Sequence, residues 1–493
     1  MEHFLQDCKA ALQKNHEGLD FHVVLGNEAC DLDSMVSAIT LAYYLAKTSS
    51  SKDLVFVPVM NIPREDFPLR TESTFFLRET GISEKHLTFR DEIDLVDLYE
   101  SGQLVLSLVD HHVLPRSDAF LEDVVTDIID HRVMERKPAP SCRVTLELVG
   151  SCTTLIAEKI VSDAPHLLDF QLASLLRGPI VLDCVNMTPA AGRATPKDTE
   201  YVAFLESKFP DLTPRDAMFD SMLSAKIDVS GLTTDQMLRK DFKALVGRNI
   251  NLAINAIYMK IEAFLRREGV ERDLQTFCQK HGYHALIAMG VTFTSSNEPM
   301  KEIAVYSQQR ELLHLVSKSL EQANNPSLEL TRIPCGSKHI TAYIQGNAVA
   351  SRKKVLPILK DFLKKLSINE GGSRPMQSHQ AAEDYKRPSG FNEQSVDDNL
   401  EGSELGEFRE PLENSDACIG DEFKDKGYLS GFRRLPEDCF DDENSFPPTP
   451  MNSLVEGCPL DRGLPKLTAE AILERINRIT VADSEVNSTA GNQ

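Results

Sequence analysis

Two carboxylates one residue apart stand where an apolar run gives way to a helical pattern. The segment Gly26-Asn27-Glu28-Ala29-Cys30-Asp31-Leu32-Asp33-Ser34 follows a predicted strand, 21–25, and opens a predicted helix, 35–47. Oxygen ligands on such a turn can converge on a hard divalent cation, and the helix N-terminus adds amides that bind phosphate. A helix cap is the alternative interpretation of this Asp-x-Asp turn.

Acidic residues also stand at the ends of three more apolar segments. These segments are predicted strands 104–109 and 124–129 and predicted helix 168–183, and the residues are Asp110, Asp130 with His131, and Asp183. Ligands of an open parallel sheet gather beyond the carboxyl ends of its strands, so the residues at the strand ends should share one crevice with the Asp-x-Asp turn. Taken singly, a strand-ending Asp is a common turn former. An unpaired Asp inside an apolar helix is costly, and a cation would compensate it.

The ligand types indicate which metal and which reaction to expect. Carboxylates with one or two imidazoles favour Mg²⁺ or Mn²⁺ over Zn²⁺ in a thiolate cage. Cys30 and Cys184 adjoin the acidic residues, and we interpret both as small packing residues. A metal pair polarises a water and neutralises phosphoryl oxygens, as hydrolysis of a phosphoanhydride or phosphodiester requires.

Positive charge that could bind a phosphate chain occurs later in the sequence. Lys243 follows Asp241-Phe242, and the run Ser351-Arg352-Lys353-Lys354 lies between a predicted strand and a predicted helix. An Arg fork beside Lys point charges suits a phosphate chain held between two domains. A solvated basic turn is the alternative interpretation.

Composition excludes several classes of protein. At 493 residues the chain can hold two or three domains with proper cores. A formal charge of −22 argues against a nucleic-acid-binding surface and against attachment to anionic lipid. Ten scattered cysteines, with no Cys-x-x-Cys pair and no recognisable secretory leader, predict reduced thiols in a cytosolic or nuclear protein. No apolar run reaches the length that membrane insertion needs.

The pattern of elements predicts two folded domains and a tail. Residues 1–188 alternate apolar strands with helices, which predicts an α/β domain with a mostly parallel sheet. Residues 189–213 form a linker and a first helix. Residues 214–368 are predicted to form a smaller α+β domain that includes a long helix, 250–267, and three strands, 284–293, 302–307 and 339–345. Residues 369–493 are acidic and poor in aliphatic side chains, which predicts a disordered tail with a short amphipathic helix near 467–480.

Together these motifs resemble the DHH phosphoesterase superfamily, in the branch of family II inorganic pyrophosphatases and eukaryotic exopolyphosphatases. In that branch a DHH domain is followed by a substrate-clamping DHHA2 domain, and the resemblance spans residues 20–366 or so. It implies a phosphoric anhydride hydrolase that acts on short-chain polyphosphate with one or two Mn²⁺ or Mg²⁺ ions. It assigns the metal and the catalytic metal-bound water to Asp31, Asp33, Asp110 and Asp183, with His131 as a further ligand. It assigns substrate phosphate binding to Lys243, Arg352 and Lys353.

Two positions depart from the pyrophosphatase pattern. Asn27 replaces the histidine of the first motif, and Arg132 replaces the second histidine of the third motif, Asp130-His131-Arg132. A guanidinium cannot bind a metal. Arg132 either holds a substrate phosphate in place of a lost cation or leaves a slow enzyme, so we expect low turnover. The literal Asp-His-His at position 110 is the second motif by its order, and we expect His112 not to be a ligand.

A closer likeness to vertebrate members of this branch is carried by segments 24–34, 89–95, 228–234 and 447–455. That likeness implies cyclic-nucleotide phosphodiesterase activity and binding to nucleoside diphosphate kinase and glycogen synthase kinase 3. It also implies a cytoplasmic protein, with some in the nucleus and at focal adhesions, that acts in cell migration and neurogenesis. Oligomeric state stays open, with a homo-oligomer as one option. The alternative function is a catalytically weak adaptor that works mainly through its acidic tail. A nuclease is disfavoured, because the negative charge repels a nucleic-acid backbone.

Overall fold

The computed structural model describes residues 1–13, 18–51, 53–135, 139–293 and 299–370. Residues 371–493, which include the predicted helix near 467–480, lie outside this description, so what the sequence predicts for the tail stays a prediction. None of the helices in the described part combines the length and apolar character that a bilayer crossing needs.

A parallel sheet organises the first half of the chain. Its six strands are β1 (Asp20–Leu25), β2 (Leu54–Met60), β3 (Thr88–Phe89), β4 (Leu104–Val109), β5 (Val125–Asp130) and β6 (Arg143–Leu146). They pair in the order β3-β2-β1-β4-β5-β6, and every pair is parallel. Apolar clusters cover both faces, with Val24 in one cluster and Val23 and Leu25 in the other. Burial on both faces explains the near-continuous apolar runs, and the predicted α/β fold is confirmed.

Helices cover this sheet, and most of them were predicted from periodicity. They are α1 (Glu2–Gln13), α2 (Leu32–Thr48), α3 (Thr71–Glu79), α4 (Leu95–Glu100), α5 (Cys152–Asp163), α6 (Phe170–Asp183), α7 (Pro196–Lys208) and α8 (Arg215–Ile227). Helix α2 follows β1 directly and packs against α5 and α6. Helix α8 adds Met218, Phe219 and Met222 to the same apolar core.

A mixed sheet organises the second half. Its elements in chain order are α9 (Thr234–Lys240), β7 (Phe242–Val246), β8 (Asn251–Ile257), α10 (Ile261–Leu265), α11 (Val270–His281), β9 (Ala285–Phe293), β10 (Pro299–Tyr306), α12 (Arg310–Glu321), β11 (Leu330–Ile333), β12 (Ile340–Gln345) and α13 (Arg352–Glu370). The strand order is β11-β12-β10-β9-β8-β7. Only the β8–β9 pair of this described sheet is parallel. Each face carries its own apolar cluster.

The long helix predicted over 250–267 is wrong. Strand β8 occupies its first part and the short helix α10 its second part. Four consecutive residues of β8, from Leu252 to Asn255, are buried. They are buried because β7 and β9 flank the strand and because apolar clusters cover both faces of the sheet. A strand buried on both faces loses the alternation that distinguishes it from a buried helix.

Candidate metal centre

The order of the first sheet reverses between β1 and β4, which are neighbours in the sheet although three strands apart in the chain. A crevice opens at such a switch point beyond the carboxyl ends of the strands. The loop after β1 carries Asp31 and Asp33, and the loop after β4 begins with Asp110. Asn27 joins the two loops, since its side-chain amide donates to Oδ2 of Asp110 at 2.7 Å and to the Asp110 carbonyl at 3.2 Å. Asn27 therefore fixes the position of Asp110, the first residue of the second motif.

The first loop folds tightly against the start of α2. A side chain at Gly26 would place a Cβ 2.2 Å from Oγ of Ser34, so only glycine fits there without displacement. The Ser34 hydroxyl accepts a hydrogen bond from the backbone amide of Asn27 at 2.8 Å. Oδ1 of Asp31 accepts from the Ser34 amide at 3.2 Å and caps α2. Asp31 is thus a helix cap, as the alternative interpretation held, and its carboxylate also faces the acidic cluster described next.

Asp33 is fixed by the N-terminus of α5. Its carboxylate accepts hydrogen bonds from the backbone amides of Cys152 (2.7 Å) and Thr153 (2.8 Å) and from the hydroxyl of Ser151 (2.7 Å). The Thr153 hydroxyl donates a further bond at 2.5 Å. The carboxylate thus satisfies amides that have no partner inside the helix, and these hydrogen bonds set its direction.

Asp33, Asp110 and His131 each point one ligand atom at a common centre, and these three atoms lie within 4.8 Å of one another. Nε2 of His131 is 3.2 Å from Oδ1 of Asp110 and 4.0 Å from Oδ2 of Asp33. Nδ1 of the same ring is 3.0 Å from the Val149 carbonyl oxygen, to which it donates. A histidine that ligates a metal commonly donates its other ring N–H to such an acceptor.

The charges of the cluster repel one another. Burial, and next the charge of Asp33, raises the pKa of Asp110 to about 7. Burial followed by the same neighbour raises the pKa of Asp31, and burial with Asp33 and Asp31 raises the pKa of Asp183 well above its usual value. Burial alone would lower the pKa of His131, but its contact with Asp110 and the charges of Asp33 and Asp130 raise it to about 10.

These observations fit a divalent cation. The acidic residues placed at separate strand and helix ends do converge, and Asp183 at the end of α6 feels the charges of Asp31, Asp33 and Asp110. Oδ1 of Asp110 is buried and accepts no well-aligned hydrogen bond within the described part of the chain. A buried oxygen of this kind needs a compensating charge. A cation at the centre would supply that charge and take the place of the His131 proton. The assignment of each residue as a ligand stays a prediction.

The remaining histidines near the centre differ in their contacts. Nδ1 of His112 lies 2.5 Å from Oδ2 of Asp130, and its Nε2 accepts from the Glu135 amide at 2.9 Å. Both ring nitrogens are therefore engaged, which agrees with the expectation that His112 is not a ligand. Nδ1 of His111 lies 3.0 Å from the Val109 carbonyl oxygen, and its buried Nε2 has no hydrogen-bond partner in the described residues.

The predicted phosphate-binding residues are distributed over both halves. Nη2 of Arg132 lies 3.9 Å from Oδ1 of Asp110, and 41% of its side chain is exposed, which places the guanidinium at the rim of the centre. Nη1 of Arg352, at the start of α13, lies 2.5 Å from Oδ1 of Asp241. Lys243 lies in β7 and Lys353 in the first turn of α13. This ion pair of Arg352 lies within the second half, and the role of Arg352 toward phosphate stays a prediction.

Two buried cations near the centre were missed by the sequence analysis. Lys226 of α8 and Arg70 at the start of α3 both act on the charge of Asp31. Lys226 follows Phe219 and Met222 by seven and four residues, so it occupies a core-facing position of an amphipathic helix. A lysine at a core-facing position indicates a buried charge that needs a partner, so Lys226 could have been singled out from the sequence. No local pattern singles out Arg70.

Backbone strain is concentrated beside the predicted ligands. Five of the six described non-glycine residues with positive φ are Cys30 (47°), Asp110 (60°), Val185 (48°), Asn186 (54°) and Met187 (57°). The first precedes Asp31, the second is itself a predicted ligand, and the last three follow Asp183 closely. Each such residue costs roughly 1–2 kcal/mol, and strain of this kind clusters at functional sites.

Comparison with known proteins places this chain in a family. The DHHA2 domain family matches residues 220–362. The exopolyphosphatase PRUNE1 of Rattus norvegicus is 49% identical over 484 residues, which cover 98% of each chain. The chain belongs to the PRUNE1 exopolyphosphatase family. The resemblance to the exopolyphosphatase branch, and to its vertebrate members, is thereby confirmed. The DHHA2 match lies inside the predicted second domain, 214–368, whose boundaries stay predictions.

Two more distant proteins are also similar to this PRUNE1-family chain. The manganese-dependent inorganic pyrophosphatase of Methanocaldococcus jannaschii is 24% identical over 274 residues, which cover 54% of this chain and 80% of that protein. The crystal structure of an exopolyphosphatase-related protein from Bacteroides fragilis is 12% identical and covers 75% of this chain and 98% of that one, with a TM-score of 0.35.

Proposed function

We propose that this chain is a Mn²⁺- or Mg²⁺-dependent phosphohydrolase that releases phosphate from short-chain polyphosphate or pyrophosphate. Membership of an exopolyphosphatase family supports hydrolysis of phosphoanhydride bonds. The single observation that carries the metal dependence is the convergence of Asp33, Asp110 and His131 within 4.8 Å, surrounded by further carboxylates.

The residues of the centre have separable tasks in this proposal. Asp31, Asp33, Asp110, Asp183 and His131 hold the metal. When bound, a divalent cation neutralises phosphoryl oxygens and lowers the pKa of a coordinated water. The amides and hydroxyls at the start of α5 orient Asp33, and the Val149 carbonyl keeps His131 Nε2 directed at the carboxylates.

Positive charge orients the substrate. Arg132, at the exposed rim of the centre, is placed to donate to a terminal phosphoryl group. Lys243, Arg352 and Lys353 are assigned to the rest of the phosphate chain, where an anion of several charges needs several cations. A fixed guanidinium in place of a histidine ligand supports low turnover, because a guanidinium cannot bind a second cation.

The finer functions rest on the family resemblance alone. They are cyclic-nucleotide hydrolysis, binding to nucleoside diphosphate kinase and glycogen synthase kinase 3, and roles in cell migration and neurogenesis from the cytoplasm, nucleus and focal adhesions. The adaptor function through the acidic tail is compatible with a weak enzyme, and both can belong to one chain.

Kinetics on three substrates side by side tests the proposal. Phosphate release from pyrophosphate and tripolyphosphate, and hydrolysis of cyclic AMP, are measured with Mn²⁺, with Mg²⁺ and with excess chelator. We expect metal-dependent turnover that is fastest on a phosphoanhydride. Absence of metal-dependent turnover on all three substrates would leave the adaptor function as the better account.

A further inference from the structure

Arg70 makes contacts that the proposed chemistry does not explain. Its side chain is buried, with 6% of the residue exposed. Nε and Nη2 donate to the Ala29 carbonyl oxygen at 3.1 and 2.8 Å, and Nη1 lies 3.4 Å from the Asp66 carbonyl oxygen. Within the described residues Arg70 forms no ion pair, and its guanidinium donates its hydrogen bonds to backbone carbonyl oxygens. Burying a cation is costly, so these hydrogen bonds and the charges of nearby Asp66, Glu72 and Asp31 must offset that cost.

The Ala29 carbonyl is the last peptide oxygen before the strained residue of the first loop. Cys30 follows with a φ of 47°, a left-handed conformation that a side chain disfavours, and Asp31 follows Cys30. Two N–H groups of one rigid guanidinium plane converge on that oxygen, which fixes the orientation of the peptide between Ala29 and Cys30. The direction of the peptide before Cys30 sets where the chain leaves the turn, and hence where Asp31 and Asp33 point.

The backbone that carries Arg70 is itself held from the other side. The Lys240 ammonium donates to the Leu69 carbonyl at 2.7 Å and to the Thr71 hydroxyl at 2.9 Å. That hydroxyl donates to the Lys226 carbonyl at 3.2 Å. The Lys226 ammonium lies 3.1 Å from Glu72, with 3% and 1% of these side chains exposed.

Residues 69–72 are therefore clamped between the first loop and helices α8 and α9. On one side Arg70 binds the carbonyl two residues before Asp31. On the other side two lysines bind the residues that flank Arg70. Helix α9 is followed directly by β7, which carries Lys243. These contacts therefore link α9, the helix before the proposed substrate-binding Lys243, to the acidic first loop.

We propose that Arg70 is a positioning residue for the metal centre, which holds the Cys30 turn in its left-handed conformation and so aims the Asp31 and Asp33 carboxylates at the cation. This inference rests on the proposed metal centre. Arg70 touches neither substrate nor metal and acts through the backbone of the first loop. A lysine at this position would keep the charge but lose the paired donors of the guanidinium plane.

Direct Mn²⁺ binding to the full chain tests the inference without any substrate. The dissociation constant is measured from the Mn²⁺ electron paramagnetic resonance signal for the wild type, Arg70→Lys and Arg70→Ala. Arg78→Ala is the matched control, because Arg78 lies on α3, the helix that begins directly after Arg70, and 73% of its side chain is exposed. We expect roughly 10- to 100-fold weaker binding for Arg70→Ala, a smaller but clear loss for Arg70→Lys, and no change for Arg78→Ala.

Thermal melts of the metal-free variants separate positioning from folding. We expect Arg70→Lys to melt cooperatively as a folded protein. Wild-type Mn²⁺ affinity in Arg70→Lys would assign any effect to charge alone and overturn the paired-donor role. Wild-type affinity in Arg70→Ala, or loss of the fold in Arg70→Lys, would overturn the inference as well. Failure of the wild type to bind Mn²⁺ would instead refute the proposed function on which the inference rests.

Discussion

At the candidate metal centre, Nε2 of His131 lies 3.2 Å from Oδ1 of Asp110. The two residues come from the ends of neighbouring parallel strands, β5 and β4. The Val149 carbonyl holds the opposite ring nitrogen at 3.0 Å, so the ring cannot turn away without losing a buried hydrogen bond. This arrangement gives one nitrogen lone pair and one carboxylate oxygen a common direction.

Replacement of His131 should weaken metal binding. His131→Asn removes the ring nitrogen that faces Asp110, and we expect the Mn²⁺ dissociation constant to rise about tenfold or more, measured by calorimetric titration. His166→Asn, at an exposed histidine, is the control and should bind as the wild type does. Equal affinity in both variants would show that His131 is not a ligand.

Metal-free protein should lose stability as the pH rises through neutrality. Burial and Asp33 raise the pKa of Asp110 from 3.8 to about 7, and carboxylates overcome the burial of His131 to raise its pKa from 6.5 to about 10. Both groups bind protons more tightly in the folded state, so their stabilisation is fully present at low pH and is lost as the pH passes each folded pKa. We expect the melting temperature of chelator-treated protein to fall between about pH 6.5 and about pH 8.

That window avoids groups with the opposite sign. Burial lowers the pKa of His22 to about 4 and that of Lys240 to about 8, and both groups add stability as the pH rises, the first below the window and the second above it. Asp110→Asn removes one titrating group and the carboxylate that raises the pKa of His131. The melting temperature of this variant should therefore change less with pH than that of the wild type. A melting temperature that rises across the window in the wild type would contradict this electrostatic description.

The buried pair of Glu72 and Lys226 should matter for stability far more than a surface pair. Glu72→Gln leaves the ammonium of Lys226, and that of nearby Lys240, without the buried anion. We expect the free energy of unfolding, measured with urea, to fall by roughly 3–5 kcal/mol. Glu79→Gln, in the exposed pair with Arg78 on the same helix, should change it by about 0–1 kcal/mol. Similar losses in the two variants would mean that the buried pair is not a special constraint.

Arg132 should limit the number of cations that the centre takes. Its guanidinium lies 3.9 Å from Oδ1 of Asp110 and supplies positive charge there. We expect Arg132→His to bind more Mn²⁺ per chain than the wild type, counted by metal analysis after gel filtration. Arg143→His, at an arginine with 78% of its side chain exposed, is the control. Unchanged stoichiometry in Arg132→His would show that the arginine has not taken a cation's place.

The sequence allowed the convergence of the acidic residues to be predicted, because each of them is marked by its position at the end of an apolar segment. Asp31, Asp110 and Asp130 each end a buried parallel strand or begin the helix after one, and the geometry of parallel sheets brings such ends together. Sequence reasoning failed for β8, where burial on both faces erased the alternating pattern. It also missed Arg70 and Lys226, whose partners lie 41 and 154 residues away in the chain, at Ala29 and Glu72. Contacts at that separation depend on the packing of whole elements, which no local spacing encodes.

The most direct test of the account is Mn²⁺-stimulated phosphate release from tripolyphosphate by the double variant Asp31→Ala with Asp110→Ala. Asp127→Asn is the control, since Asp127 lies on the same sheet but pairs with the exposed Arg143. We predict metal-stimulated release in the wild type and in Asp127→Asn, and none above the metal-free rate in the double variant. Undiminished, metal-stimulated release by a folded double variant would contradict the central claim that these carboxylates hold the catalytic metal.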